Sequence, residues 1–547
     1  MDFEPILPPS RLAAMKQAGY WRDETVLDHL DRAIRTHPET VALVGDNSTS
    51  GERMRLTYRA LGERVNRIAT GLLRLGIGRG DVVSYQLPNW WQFTALHLAC
   101  MRVGAVTNPL MPIFREHELA FMLGLGETKL LVMPQTFRGH DHAAMGRALM
   151  PKLPALRQLL VIGGEGTESF EGQLLAHAPD AAAESVFAAR RPGPDEVIQI
   201  LYTSGTTGEP KGVMHTSNTM LSILAPYAEA LRLGEGDVVL MASPLAHQTG
   251  FMYGLVMPIR LGAKAVLQDV WQPAHAADLI AAEGVTFTMA STPFLSDLTD
   301  IAAERPDAFK TLRVFLSAGA PIPRVLVRRA SENLGAHIIS AWGMTENGAV
   351  TITRPGDPPE KSFETDGRAL AGMECRIVDA EKRPLPFGEE GLLQVRGCSN
   401  FVGYLKRPQW YATDAEGWFD TGDLARMDRD SYIRITGRTK DIIIRGGENI
   451  PVVEIEGLIY RHPKVQEVAI VAMPDPRLGE RACAFVVTRG GAPLTLEEIA
   501  EFLSEQKVAK QYLPERVEVV PQLPKTPSGK IQKFRLREVT KGFAGPA

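Results

Sequence analysis

The sequence predicts an α/β protein of at least two domains, a large α/β part followed by a smaller α+β unit, and three observations carry that reading. With 547 residues and 44% apolar composition the chain can form several cores, more than one packed unit ordinarily holds. Over much of its length, helix-period stretches alternate with short apolar or β-branched runs, the pattern of layered α/β architecture. Beyond about residue 370 the texture changes to shorter elements rich in glycine and charge.

LTYRALGERVNRIATGLLRLGI is amphipathic and predicts a helix, and DVVSYQL after it predicts a strand. LLVM near 130, LLVIGG near 160, VVLMASP near 240, AVLQDV near 266 and VTFTMAS near 287 are further strand candidates, each close to a helical segment. GLLQVRG, GWFDTGD, YIRITGRTKDIIIRGGENI and VQEVAIVAMPD mark the smaller unit. ITGRTKDII sets Gly437, Arg438, Lys440 and Asp441 between two β-rich stretches, a charged connection of the kind that separates domains. The boundary is therefore expected at Lys440. Ala181–Ala183 and the stretch 163–168 read as surface loop.

The 60 basic and 64 acidic residues leave a formal charge of −4, without the basic excess that accompanies nucleic-acid binding. Small molecules are the expected partners. Cys100, Cys375, Cys398 and Cys483 are far apart and form no CxxC pair, so neither a zinc site nor a disulfide framework is expected. The N-terminus has early acidic residues and two adjacent prolines and lacks the apolar core of a secretory signal. No stretch approaches the roughly 20 apolar residues that span a bilayer. These features predict a cytoplasmic protein. Asn47-Ser48-Thr49 matches a glycosylation sequon and is read as a polar loop.

IQILYTSGTTGEPKGVMHT passes from an apolar strand into a loop holding Thr203, Ser204, Gly205, Thr206, Thr207, Gly208 and Lys211. Glycines let a backbone approach a polyphosphate, hydroxyls and amides donate hydrogen bonds, and Lys211 adds positive charge. Pro210 precedes the lysine and no Ser or Thr follows it, so the Walker pattern is not met. TSGTTGEPKG instead resembles the signature of the adenylate-forming superfamily of acyl-CoA synthetases, peptide-synthetase adenylation domains and luciferases. SAGAP at 317–321, WGMTE at 342–346, FDTGD at 419–423, GRTKDIIIRGGENI at 437–450 and PKTPSGKIQK at 524–533 follow in that superfamily's order, so the resemblance covers nearly the whole chain.

The resemblance implies a large N-terminal multi-subdomain α/β domain over 1–439, a hinge at Lys440 and a small mobile α+β domain over 441–547 that carries the catalytic lysine. It implies ATP, Mg2+ and coenzyme A as reactants and cofactor. Gly319, Ala320, Pro321, Trp342, Gly343 and Met344 would surround the adenine and its neighbourhood, while Thr345 would meet the α-phosphate and Glu346 would hold magnesium. Asp423 would accept both ribose hydroxyls and Arg438 would donate to the sugar or its phosphate. Lys530 would supply an ammonium as pyrophosphate leaves, then withdraw as the small domain rotates. Gly446 and Gly447 would then admit a pantetheine arm, with Arg445 and Arg477 on the coenzyme A phosphates.

By the same resemblance His247 stands at the wall between acyl site and nucleotide. Gly250, Gly254, Ala318 and Gly343 are expected to leave room for the acid, and Phe251, Trp342 and Met344 to wall it. The expected substrate is an apolar monocarboxylic acid: a medium-chain fatty acid, an alicyclic acid such as cyclohexanecarboxylate, or an aromatic acid. Loading of a carrier protein and luciferase-like oxygenation are the alternatives. A lysine acetyltransferase and deacetylase acting on Lys530, and a homodimer, are the macromolecular partners the pattern allows.

Overall fold

The computed structural model describes residues 3–203, 210–319, 322–439, 441–445, 448–506, 508–526 and 529–543. Ser204, Gly205, Thr206, Thr207, Gly208, Ala320, Pro321, Lys440, Gly446 and Gly447 lie outside these residues.

Two predominantly parallel sheets form the large part. One runs in the order Arg368–Ala369, Gly348–Ile352, His337–Met344, Val314–Ala318, Phe287–Ala290, Val238–Met241, Lys264–Leu267, Val41–Asp46 and Arg53–Thr57. Its interior is parallel from the His337 strand to the Val41 strand, and the pairs at both margins are antiparallel. The second runs Lys211–Thr216, Val197–Thr203, Val106–Pro109, Val82–Tyr85, Leu130–Pro134 and Gln158–Ile162. Runs such as LLVMP and FTMA are buried throughout, as parallel strands covered on both faces require. Each strand expected in this part forms. The first amphipathic segment forms the helix Tyr58–Arg74, which starts after Thr57 because that hydroxyl accepts from the Ala60 amide at 3.1 Å.

The change of texture near residue 370 marks an antiparallel sheet of Met373–Val378, Glu390–Gly397, Phe419–Met427 and Ile433–Arg438. Met373, Leu393, Val395, Phe419 and Ile433 share one buried cluster with residues of the large sheets, so this sheet completes the large core. The clusters that begin at Ile443 are built from later residues alone. They cover a sheet of Glu448–Ile450, Ile443–Arg445, Gly479–Thr488, Val465–Asp475 and Arg516–Val519, with helices Val452–Ile459, Leu496–Glu505 and Lys533–Lys541. Among the described residues no helix is long and apolar enough to cross a membrane.

Candidate active site

The strands Val197–Thr203 and Lys211–Thr216 pair antiparallel with Thr203 opposite Lys211. The described residues that flank the glycine- and hydroxyl-rich segment, Thr203 and Lys211, therefore lie side by side. The Lys211 ammonium lies over the rings of Tyr404 at 4.9 Å and Trp410 at 5.2 Å, an arrangement that aims the cation without neutralising it.

Thr345 and Glu346 follow the end of the parallel strand His337–Met344, the edge at which open α/β sheets bind ligands. Their backbone is held from two directions. His215 Nε2 is 2.7 Å from the Thr345 carbonyl oxygen, and the Phe401 amide donates to the Glu346 carbonyl at 2.7 Å. Buried His215 is pushed down to about 4 by desolvation, so it is a neutral imidazole whose Nε2–H donates to that carbonyl. The Glu346 carboxylate is also buried and accepts from the Tyr404 hydroxyl at 2.8 Å. Burial raises its proton affinity, and the Tyr404 hydrogen bond, Lys211 and Arg438 oppose that rise.

Asp423 stands opposite Arg438 in the register of Phe419–Met427 and Ile433–Arg438. Its carboxylate accepts from Arg438 Nε and from Trp342 Nε1, each at 2.9 Å. Trp342 is thus committed edge-on to Asp423 and is buried. Ala318, half-buried, pairs with Ala341 in the adjoining parallel strand. Gly319, next in the chain, has φ +92°, a backbone region that favours glycine.

Lys530 reaches this group from the C-terminal unit. It sits in a tight turn where its amide donates to Thr526 Oγ1 at 3.0 Å and its carbonyl accepts from the Thr526 amide at 2.7 Å. Gly529, at φ +81°, approaches so closely that an added Cβ would lie 2.5 Å from Ser291 Oγ. Ser291 precedes the helix Thr292–Glu304 of the large part, so the turn docks there. Desolvation and then Arg438 push the Lys530 ammonium down to about 8, while Asp423, Asp441 and Glu346 oppose them. Solvent still reaches the side chain, and that contact screens the depression. His247 is pushed down to about 4 by burial and by Lys530, and its Nδ1 accepts from the Thr249 amide at 3.3 Å, so it is a neutral imidazole beside the ammonium.

Three of the glycines expected to leave room for the acid lie close to the chain's own atoms. An added Cβ would lie 2.1 Å from the Pro244 carbonyl oxygen at Gly250, 2.4 Å from Met241 Cγ at Gly254 and 1.9 Å from the Gly348 carbonyl oxygen at Gly343. Their missing side chains are used by close packing. Phe251 is fully buried, its ring edge-on to His97 at 4.7 Å, while Met344 is half-buried. Arg445 Nε is paired with Glu515, whereas Arg477 is exposed. Asp441 is paired with Arg537, and Lys533 with Glu456 at 2.7 Å; both pairs tie the lysine-bearing end to the start of its unit. Sequence reasoning missed Tyr404, Trp410, His215 and Ser291, because nothing local distinguishes them from ordinary aromatic, core or capping residues.

Among the described residues no three His, Cys, Asp or Glu converge as a metal cage. A lone buried carboxylate at Glu346, near Lys211, suits magnesium, which keeps water and substrate phosphate oxygens as most of its ligands.

A model of the AMP-binding enzyme family matches residues 30–405, and one of the AMP-binding enzyme C-terminal domain matches residues 454–530. The medium-chain fatty-acid–CoA ligase of Escherichia coli K12 is 39% identical over 533 residues, covering 96% of this chain and 92% of that protein. A salicylyl-CoA synthase / salicylate adenylyltransferase of a Streptomyces species is 37% identical over 554 residues, covering 100% and 99%. The crystal structure of ATP-bound MatB from Rhodopseudomonas palustris superposes with a TM-score of 0.83 at 28% identity, covering 95% of this chain and 99% of that one.

Proposed function

The chain belongs to the AMP-binding enzyme family, and from that premise we propose that it is an AMP-forming carboxylic acid–CoA ligase acting on an apolar monocarboxylic acid. The acid is medium-chain fatty, alicyclic such as cyclohexanecarboxylate, or aromatic. The observation that carries the reading is the convergence of Lys530 with Glu346, Asp423 and Arg438, an ammonium among nucleotide-directed groups from a different unit of the chain. Two relatives, one named for a fatty acid and one for salicylate, support the apolar and aromatic range.

In the first step a carboxylate oxygen of the acid bonds to the α-phosphorus of ATP. The bond from that phosphorus to the bridging oxygen breaks, and pyrophosphate leaves with the electron pair. Lys530 stabilises the charge that develops there, Asp423 accepts from the ribose hydroxyls, Arg438 donates beside it, and Lys211 with the Thr203–Gly208 segment holds the phosphates. Magnesium supplies neutralising charge to the triphosphate when bound, and Glu346 is the carboxylate that would hold it. In the second step the coenzyme A sulfur bonds to the acyl carbon, the bond from that carbon to the AMP oxygen breaks, and the thiol proton passes to water.

In this cycle the Lys530 turn would occupy the face that the thiol must reach, and residues 441–547 would turn about Lys440 between the steps. Arg445 then exchanges Glu515 for a coenzyme A phosphate, with Arg477, Gly446 and Gly447 beside it. Acylation of Lys530 would delete the charge of the first step; mass spectrometry after treatment with a protein acetyltransferase tests that susceptibility.

A panel of carboxylic acids, assayed for pyrophosphate and AMP with and without coenzyme A, tests the whole reading. Thioester formation with apolar acids is expected. Acid-dependent pyrophosphate without thioester would overturn coenzyme A as acceptor and favour carrier-protein loading. Lys440→Pro is expected to impair the thioester step preferentially; an unaffected second step would remove the hinge from that residue.

A further inference from the structure

We propose that Tyr404 is a positioning residue that sets Lys211 and Glu346 at a fixed separation and so pre-forms the grip on the triphosphate. The inference rests on the nucleotide-binding reading above.

Tyr404 touches both groups with different parts of one side chain. Its ring face lies under the Lys211 ammonium at 4.9 Å, and its hydroxyl donates to Glu346 Oε1 at 2.8 Å. The ring is 4% exposed, and its backbone is fastened to the strand that begins at Lys211. Val402 N donates to Met214 O at 3.0 Å, Met214 N to Gly403 O at 3.0 Å, and Leu405 N to Gly212 O at 2.8 Å. Residues 402–405 thereby form an added rung along that strand, bridged at Val213 and Tyr404.

The two arms are separable. The carboxylate arm needs the hydroxyl, whereas the lysine arm needs an aromatic face, which Trp410 also supplies at 5.2 Å. Lys211 and Glu346 are within electrostatic reach of each other, so without a spacer they would move together and neutralise one another. A tyrosine between them holds a cation and an anion apart, both available to a polyanion and its counter-cation.

The test is calorimetric titration of the full-length protein with ATP, once in excess magnesium and once in EDTA, with thermal melting to verify folding. Tyr404→Phe keeps the ring and removes the hydroxyl. It is expected to leave the affinity for metal-free ATP within twofold while weakening magnesium-ATP binding about tenfold, the scale of one lost hydrogen bond to a charged group. Trp410→Leu is expected to weaken both, because it loosens Lys211. Equal losses in both titrations for Tyr404→Phe, or none in either, would overturn the positioning role. Should the native protein bind no ATP at all, the ligase reading itself falls and takes this inference with it.

Discussion

The indole N–H of Trp342 donates to Asp423 Oδ2 at 2.9 Å, so an aromatic residue of the largest sheet fixes a carboxylate of the antiparallel sheet beside it. Arg438 holds the other oxygen, and together they orient both acceptors of Asp423. Trp342→Phe keeps the ring and removes this donor. The KM for ATP in acid-dependent pyrophosphate release is expected to rise about tenfold, the scale of a hydrogen bond to a charged group, with kcat little changed. An unaltered KM would assign the orientation of Asp423 to Arg438 alone.

Lys530 yields a prediction in rate and one in pH. Lys530→Ala is expected to slow adenylation by ~10²–10³, the loss typical of one preorganised group facing developing charge, while thioester formation from supplied acyl-AMP persists. The ammonium is the charged form and its proton affinity is lowered, so charge and adenylation rate are lost as pH rises. The alkaline limb should fall between about 8 and the ordinary lysine value of 10.5. In Lys530→Arg, slower but still charged, that limb should vanish; a limb that persists would belong to another group.

Gly529 docks the lysine turn. With φ +81° and a Cβ position 2.5 Å from Ser291 Oγ, Gly529→Ala should push the turn off the large part. Adenylation is expected to drop at least tenfold, about the rate change of 1.36 kcal/mol on the barrier, with an unchanged melting temperature and normal turnover of supplied acyl-AMP. Loss of both half-reactions would mean that the contact holds the fold.

At Gly254 the expected effect is on stability. An added methyl would meet Met241 Cγ at 2.4 Å in a buried cluster, so Gly254→Ala should cost ~1–3 kcal/mol by overpacking and leave the ranking of acids unchanged. Denaturant unfolding and the acid panel measure the two effects separately. A changed ranking with unchanged stability would return Gly254 to the acyl pocket.

Much of the architecture was legible because burial leaves a local trace. Parallel strands covered on both faces read as apolar runs, unbroken in Leu130–Pro134 and Val238–Met241 and interrupted only by Thr288 in Phe287–Ala290. The residue 370 region was harder, since an antiparallel sheet that completes a neighbouring core has the same short, glycine-rich texture as a separate unit. The glycines at 250, 254 and 343 were open to two readings, because an absent side chain can leave room for a ligand or for the chain's own backbone.

The chemistry on offer is written in residue type and spacing: a hydroxyl- and glycine-rich segment ending in Lys211, a Thr-Glu pair after a strand, Asp423, Arg438 and a lysine near the C-terminus. Those features are short-range, so residue type and spacing carry them. It takes the folded chain to set Tyr404, 58 residues from Glu346, between that carboxylate and Lys211, to turn the edge of Trp342 to Asp423, and to rest the Lys530 turn against Ser291 through Gly529. Each is a contact between segments far apart in the chain. Such contacts depend on strand register and packing, and no periodicity in the sequence encodes which distant side chain will fill a given gap.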